Sequence, residues 1–394
     1  MSTYNGRPIS RSNAVYTIAI IGFIFTLHGV IPTYSNSSFL SLFASEQTVG
    51  YLYMTGAALT ILGYLLMPSL VRRLGNYSVT LWFVLIQMLL FFGLLSSESP
   101  ILISFFFILQ TAVVAMISLN LDIFLEVYTD AANVGSVRGL YTATLNASWV
   151  IAPLIGSMLI NGTENYRNTY MASLMMLIPL FFLVYRNFPK FKDPNYSHLS
   201  PWQLIKHVSK NKNWDKLFAV NLILQTFYAW MVVYSPIFLH TVIGFGWEEI
   251  GIILVIMLLP FPMIQYPLGR LADRKYGEKE IMFAGFALMG LSTIGLTFIH
   301  GHNIAIWAVA MLITRVGAAA AEIMIETYFF KTVRANDAAA LGIFRITRPL
   351  SYFTGPLIGI IGLMFITNES YMFAVIGITC LLALIPIMTI RDTN

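Results

Sequence analysis

Residues 100–127 read PILISFFFILQTAVVAMISLNLDIFLEV, and the only charged side chains in that stretch are Asp122 and Glu126, both close to its end. Coiled as a helix rising 1.5 Å per residue, a run this long and this apolar crosses a hydrocarbon core about 30 Å thick. Reading outward in both directions, the same pattern recurs. The spans expected are 14–36, 48–71, 78–96, 100–127, 138–160, 168–185, 216–240, 248–270, 280–299, 303–329, 340–366 and 370–390. The expected fold class is an all-α membrane protein of twelve transmembrane helices.

Composition agrees. The 394 residues are 57% hydrophobic and only 10% charged, with a mean hydropathy of +0.74, whereas a soluble globular chain carries about 25% charge. A water-soluble enzyme is thereby excluded. Cys380 is the one cysteine, so no internal disulfide forms. The net charge of +5 is not a nucleic-acid signature, because the basic residues lie in short gaps between apolar runs and form no soluble basic face. The first apolar run is full length and has no small-residue cleavage site after it, so it reads as a retained span.

Lysine and arginine orient the chain, since short cytoplasmic loops carry the excess. With the N-terminus inside, about 21 of the 23 basic residues fall on that side, and only Arg167 falls outside, with Arg315 in mid-span. Both termini are then cytoplasmic, in a plasma membrane, with the bacterial inner membrane the expected one. The one long gap, 186–215, is basic and interrupted by prolines. It reads as a cytoplasmic linker with a short amphipathic helix near Trp202 to Val208 lying on the anionic leaflet. It separates an N-terminal six-helix bundle, 1–185, from a C-terminal one, 216–394.

The two halves resemble each other at a shift of about 200 residues. Val49–Gly50 matches Ile250–Gly251, Gly75 matches Gly277, Asp122 and Glu126 match Glu322 and Glu326, and Ala152–Pro153–Leu154–Ile155–Gly156 matches Gly355–Pro356–Leu357–Ile358–Gly359. A duplicated six-helix unit, giving two pseudo-symmetric bundles, is the layout in which the halves rock about a central site.

In the loop after the eighth span, Gly269-Arg270-Leu271-Ala272-Asp273-Arg274-Lys275-Tyr276-Gly277-Glu278-Lys279 resembles the G-x-L-a-D-R-x-G-r-k signature of the major facilitator superfamily, with one extra residue before Gly277. The equivalent stretch after the second span keeps Arg72, Arg73 and Gly75 but has Val71 where the carboxylate belongs. The resemblance implies a transporter working by alternating access, with an inner gate. A carboxylate at a helix end accepts hydrogen bonds from another helix's N-terminal amides, so pseudo-symmetry leads us to expect Asp273 near Arg138 at the start of the fifth span. Glu126 with Arg138–Gly139 is similar to a pair many family members carry, and Glu326 with Arg345 is its expected counterpart. The gate set is therefore Arg72, Arg73, Glu126, Arg138, Gly269, Asp273, Arg274, Gly277, Glu326 and Arg345. The alternative is that these residues only hold loops in place.

Ionisable groups inside a membrane are costly and usually face a cavity or a partner. His28 lies near the middle of the first span and Arg315 near the middle of the tenth, and the resemblance implies that the first, fourth, seventh and tenth helices line the cavity. Arg315, Glu322 and Glu326 share one helical face within about 20°, Asp122 and Glu126 form a similar stripe, and Asn221, Gln225 and Tyr228 give the seventh span a polar face. The substrate and proton pathway expected is His28, Asp122, Asn221, Gln225, Tyr228, Arg315 and Glu322. His28 as a hydrogen-bonding partner of a neighbouring helix, and Arg315 as a permanent partner of Glu322, stay open as alternatives. Pro153, Gly156, Pro356 and Gly359 are read as kink and close-packing positions.

No Walker sequence, HExxH, GxSxG or Cys/His cluster occurs, so no cofactor, metal or ATP-driven pump is expected. The function expected is a monomeric, proton-coupled secondary active transporter of a small solute, with a slight preference for anionic or zwitterionic ones. Facilitated diffusion and drug or metabolite export are the alternatives within that fold. From other classes, the alternatives are a lipid scramblase or flippase and a membrane-embedded enzyme.

Overall fold

A computed structural model describes residues 3–4, 7–8, 11–33, 35–160, 165–196, 212–274, 277–333, 338–365 and 369–391. A short antiparallel hairpin, β1 (Thr3–Tyr4) and β2 (Arg7–Pro8), precedes the helices. These are α1 (Arg11–Val30), α2 (Asn36–Ser41), α3 (Glu46–Leu74), α4 (Asn76–Ser96), α5 (Pro100–Tyr128), α6 (Val134–Ile160), α7 (Arg167–Asn187) and α8 (Lys212–Thr241). They continue with α9 (Trp247–Leu258), α10 (Pro260–Arg274), α11 (Glu278–Leu296), α12 (Ile304–Thr332), α13 (Ala338–Phe365), α14 (Tyr371–Leu382) and α15 (Leu384–Thr389). The amphipathic helix expected near Trp202 to Val208 lies outside the described residues.

Local chemistry explains where the helices start and break. Ser45 caps α3, its hydroxyl accepting the Thr48 N–H at 3.3 Å, and α5 opens with Pro100, whose missing N–H costs nothing in a first turn. The expected eighth span is two helices because Pro260 cannot donate to Ile256, whose carbonyl takes the Leu259 N–H at 3.3 Å instead. The expected twelfth span breaks at Ala383, one residue beyond Leu382, where the ring of Pro386 crowds the preceding turn. The expected first span ends earlier than its apolar run, at Val30, and the chain turns into α2.

Counting the two broken spans once each, the described residues form twelve long helical runs. Ten spans among the described residues are long and apolar enough to cross a membrane. Their surfaces are those of a protein in lipid. On α4 the exposed side chains include Trp82, Leu89 and Phe92, while Asn76, Thr80 and Gln87 are buried. The polar side chains turn inward among apolar ones such as Val84 and Phe91 while the exposed face is apolar, and exposed apolar surface of this extent marks contact with something other than water.

Two compact units emerge. Unit 1 comprises Met1–Thr129, Thr144–Ile205 and Val333–Ile346, and unit 2 comprises Asp130–Ala143, Lys206–Thr332 and Thr347–Asn394. The beginning of α6 thus packs within unit 2, and the beginning of α13 within unit 1. Unit 1 is cored by Phe39, Phe91, Phe107 and Tyr170 near the α2 end and by Leu27, Val30, Ile31 and Ala152 between α1 and α6. In unit 2, α11 and α12 pack along each other, and α14 lies against α11.

Candidate functional site

The end of α10 and the start of α6 meet in unit 2. Asp273, in the last turn of α10, accepts hydrogen bonds from the Gly135 N–H at 3.1 Å, the Ser136 N–H at 2.8 Å and the Ser136 hydroxyl at 2.9 Å. These amides belong to the first turn of α6, which has no intrahelical acceptor for them and carries the positive end of the helix dipole. The approach is close because both backbones lack side chains here. A Cβ on Gly269 would overlap the Gly135 carbonyl oxygen, and one on Gly135 would overlap that of Gly269.

Behind this contact, Lys331 at the end of α12 places its ammonium 3.6 Å from Asp273 and 2.5 Å from Glu278, the fully buried first residue of α11. One cation thereby balances two carboxylates. Arg138, one turn into α6, is fully buried, with its guanidinium carbon 3.0 Å from the ring centre of Phe330. Gly277 caps α11. The side chain of Arg274 lies outside the described residues.

Deeper in unit 2, Glu322 on α12 accepts from the Gln265 amide at 2.6 Å. Arg315, on the same helix and 2% exposed, has its guanidinium carbon 4.9 Å from the ring centre of Phe227. Tyr228, next to Phe227 on α8, donates to the Ala318 carbonyl at 3.4 Å and sits in the electrostatic field of Glu322, Arg315 and Arg348. Arg348 is an exposed guanidinium on α13. Asn221 donates to the Thr347 hydroxyl at 2.9 Å, joining α8 to α13, and Gln225 is half-buried between Asn221 and Tyr228 on α8. Arg315, Glu322, Tyr228 and Gln265 therefore form one polar cluster with Arg348 at its edge. Glu326 is buried one turn further along α12.

Unit 1 is built differently. Asp122 on α5, with its side chain 2% exposed, is bonded to the Arg345 guanidinium of α13 at 2.8 Å. Arg345, expected opposite Glu326, bonds Asp122 on the acidic stripe of the fourth span, in the part of α13 that packs with unit 1. Glu126 is half-buried a turn beyond Asp122. Arg72 and Arg73 occupy the last turn of α3, where cations favour the helix dipole, and Val71 beside them is fully buried. His28 is enclosed within unit 1. Its Nδ1 bonds the Phe25 carbonyl, and its ring packs on Phe25 and Phe91 at centre distances of 5.0 and 5.9 Å. Gly156 approaches the Ile31 carbonyl, where a Cβ would lie 3.2 Å away. The side chains of Pro153 and Pro356, and the surroundings of Gly359, lie outside the described residues.

Lys331, Glu278, Gln265 and Arg348 were not among the candidates read from sequence. Among the described residues no three His, Cys, Asp or Glu side chains stand together as a metal site would need.

Comparison with known proteins adds a family and a fold. The sequence pattern described as Major Facilitator Superfamily matches residues 9–260 and 244–394. No curated protein sequence matches significantly. Among solved structures, the human organic anion transporter MFSD10 (TETRAN) superposes with a TM-score of 0.80 at 12% identity, over 96% of this chain and 100% of that one. The fucose:proton symporter FucP of E. coli gives 0.77 at 12% identity, over 98% and 100%. The proton:xylose symporter XylE bound to 6-bromo-6-deoxy-D-glucose gives 0.75 at 12% identity, over 98% and 97%. At that identity the likeness is one of fold.

Proposed function

The chain belongs to the major facilitator superfamily, and we propose that it is a monomeric secondary active transporter, not an enzyme, which moves a small solute by alternating access with the linker side facing the cytoplasm. The observation that carries this reading is the Asp273 contact. A carboxylate holds the bare N-terminus of α6 through three hydrogen bonds, and charge-assisted bonds of this kind are strong yet few enough to break as a set. A contact worth a few kcal/mol is the scale on which two conformations exchange. The helix it holds begins in one unit and ends in the other, so releasing it is coupled to movement of the transporter's cytoplasmic end.

Coupling to protons falls to Glu322. Its carboxylate is half-buried and accepts a hydrogen bond from the Gln265 amide, so protonation removes a charge from a partly desolvated site. Asp122, already bonded to Arg345, is the poorer carrier, and its role is to fix α13 to α5. His28 is packing within unit 1 and takes no part. Arg315 and Arg348 stand with Glu322 around Tyr228, two cations and one anion acting on that hydroxyl. That favours an anionic or zwitterionic solute, and the organic anion transporter among the structural relatives supports the same choice.

Uptake of a mixed metabolite pool into proteoliposomes, with and without an imposed pH gradient and read by mass spectrometry, tests this. Accumulation of one or a few anionic or zwitterionic metabolites only under the gradient is the expected result. Uptake of none, or chemical conversion of any, would overturn the transporter reading.

A further inference from the structure

We infer that the segment directly after α7 is a strap that positions the end of α5, and with it Asp122, and that Asp193 is the residue that fastens it; the link to transport rests on the function proposed above. The strap, residues 188–196, carries Pro189 and Pro194 and forms no helix; it opens with a turn in which the Phe191 N–H donates to the Phe188 carbonyl at 2.9 Å.

Its two ends grip different helices of unit 1. At the first, Phe188 is fully buried and its ring centre lies 4.8 Å from that of Phe124, while Phe191 meets Phe124 edge-on at 4.6 Å and Tyr128 at 6.2 Å. Phe124 is two residues from both Asp122 and Glu126. At the other end, Asp193 accepts the Asn76 N–H at 2.7 Å, capping α4, and the Tyr196 hydroxyl at 2.5 Å. Gly75 must precede Asn76, since its φ of +79° disfavours a side chain and a Cβ there would sit 2.8 Å from the second Asp193 oxygen. Burial, with the Asp193 hydrogen bond and charge beside it, raises the Tyr196 hydroxyl above its ordinary value, so it remains a donor.

A second route leads to the same place. The Asn76 side-chain amide donates to the Asn120 carbonyl at 3.0 Å, and Asn120 stands two residues before Asp122. Cap, amide and ring contacts therefore converge on the turn of α5 that presents Asp122 to Arg345 at 2.8 Å.

The contrast with the second half gives the strap its purpose. There the loop carboxylate, Asp273, caps α6. In the first half the equivalent loop position is the buried Val71, and the capping carboxylate arrives from the strap and is spent on α4. The strap thus keeps the first-half loop attached to its own bundle, while the second-half loop carboxylate holds α6. Asp193 is a positioning residue acting through Asn76 and Asp122.

The test is hydrogen–deuterium exchange on the full-length protein in nanodiscs, which needs no substrate. In Asp193→Ala, amides of residues 76–80 and 119–128 should exchange about fivefold to tenfold faster, the loss expected for one helix cap, with other helices unchanged. Tyr196→Phe, which removes one hydroxyl, gives a smaller change in the same peptides should Asp193→Ala fail to fold, and Asp193→Asn, which keeps an acceptor oxygen, largely retains protection. Faster exchange confined to 76–80, with 119–128 at the wild-type rate, would overturn the inference whatever the transport assays show. Once a solute is known, Asp193→Ala should lower kcat with KM unchanged, and its effect should not add to that of Asp122→Asn.

Discussion

Replacing Asp273 by asparagine is the most informative single change. The variant keeps the shape and one acceptor oxygen but loses the charge and the second acceptor. Removing a negative charge from a helix N-terminus costs ~1 kcal/mol. Turning charged hydrogen bonds from Gly135 and Ser136 into neutral ones, with at least one lost, costs a further ~1 to 3 kcal/mol. The conformation holding the contact is thereby disfavoured by about 2 to 4 kcal/mol, which at 1.4 kcal/mol per tenfold is a depletion of about 30-fold to 700-fold. A cycle that must pass through that conformation slows by the factor to which it becomes scarce. In proteoliposomes matched for protein content, turnover of Asp273→Asn should fall by at least about 30-fold, while membrane insertion and elution of the purified protein stay as in wild type. Asp273→Glu, which keeps the charge but overreaches, should fall between. Wild-type turnover in Asp273→Asn would refute the reasoning, because no other described group replaces those three bonds at the same carboxylate.

Gly269→Ala should abolish turnover with the folded protein retained, because a Cβ there cannot coexist with the Gly135 carbonyl; solute flux and thermal stability measured on one preparation separate the two effects. Glu322→Gln should still exchange solute across the bilayer but fail to accumulate it against a gradient, since exchange needs no net proton release, and wild-type accumulation would move the carrier elsewhere. Arg315→Lys keeps the charge but loses the planar fork over Phe227, so affinity for an anionic solute should weaken about tenfold, the loss of ~1.4 kcal/mol, with Arg315→Ala weaker still. Unchanged affinity in both would remove Arg315 from the solute site.

What was legible in the sequence followed from two physical rules. Apolar runs of bilayer length define helices because the hydrocarbon core leaves the backbone no other way to satisfy itself, and the run at 100–127 appears as α5 with nearly the same ends. The loop at 269–279 could be matched because its glycines and carboxylate are needed at fixed offsets, and Gly269 and Asp273 stand together at the first turn of α6. What was hidden depends on contacts between distant residues. Nothing near Arg345 in the chain points to Asp122, 223 residues away, and the bond forms because the start of α13 packs with unit 1. Asp193 looked like one more polar residue of a basic linker, and only the open N-terminus of α4 reveals its use. Lys331 is, in the sequence, one more of the basic residues that orient the chain, and its place between Asp273 and Glu278 appears only when α10, α11 and α12 are assembled. Gln265 and Arg348 were passed over because a single polar residue in an apolar run does not announce the carboxylate or hydroxyl it faces. His28 was singled out by its depth in the span, but depth does not tell an enclosed side chain from one that faces a cavity.

Counterflow tests the central claim most directly. Vesicles containing the purified protein are loaded with an excess of the unlabelled solute found in the uptake experiment, then diluted into a trace of the same solute carrying a label, with no ion gradient imposed. Alternating access predicts a transient accumulation of label above its external concentration, because each outward passage of unlabelled solute returns a binding site to the outside. Label that only equilibrates, without overshoot, would contradict the account and indicate an open pathway in place of a carrier.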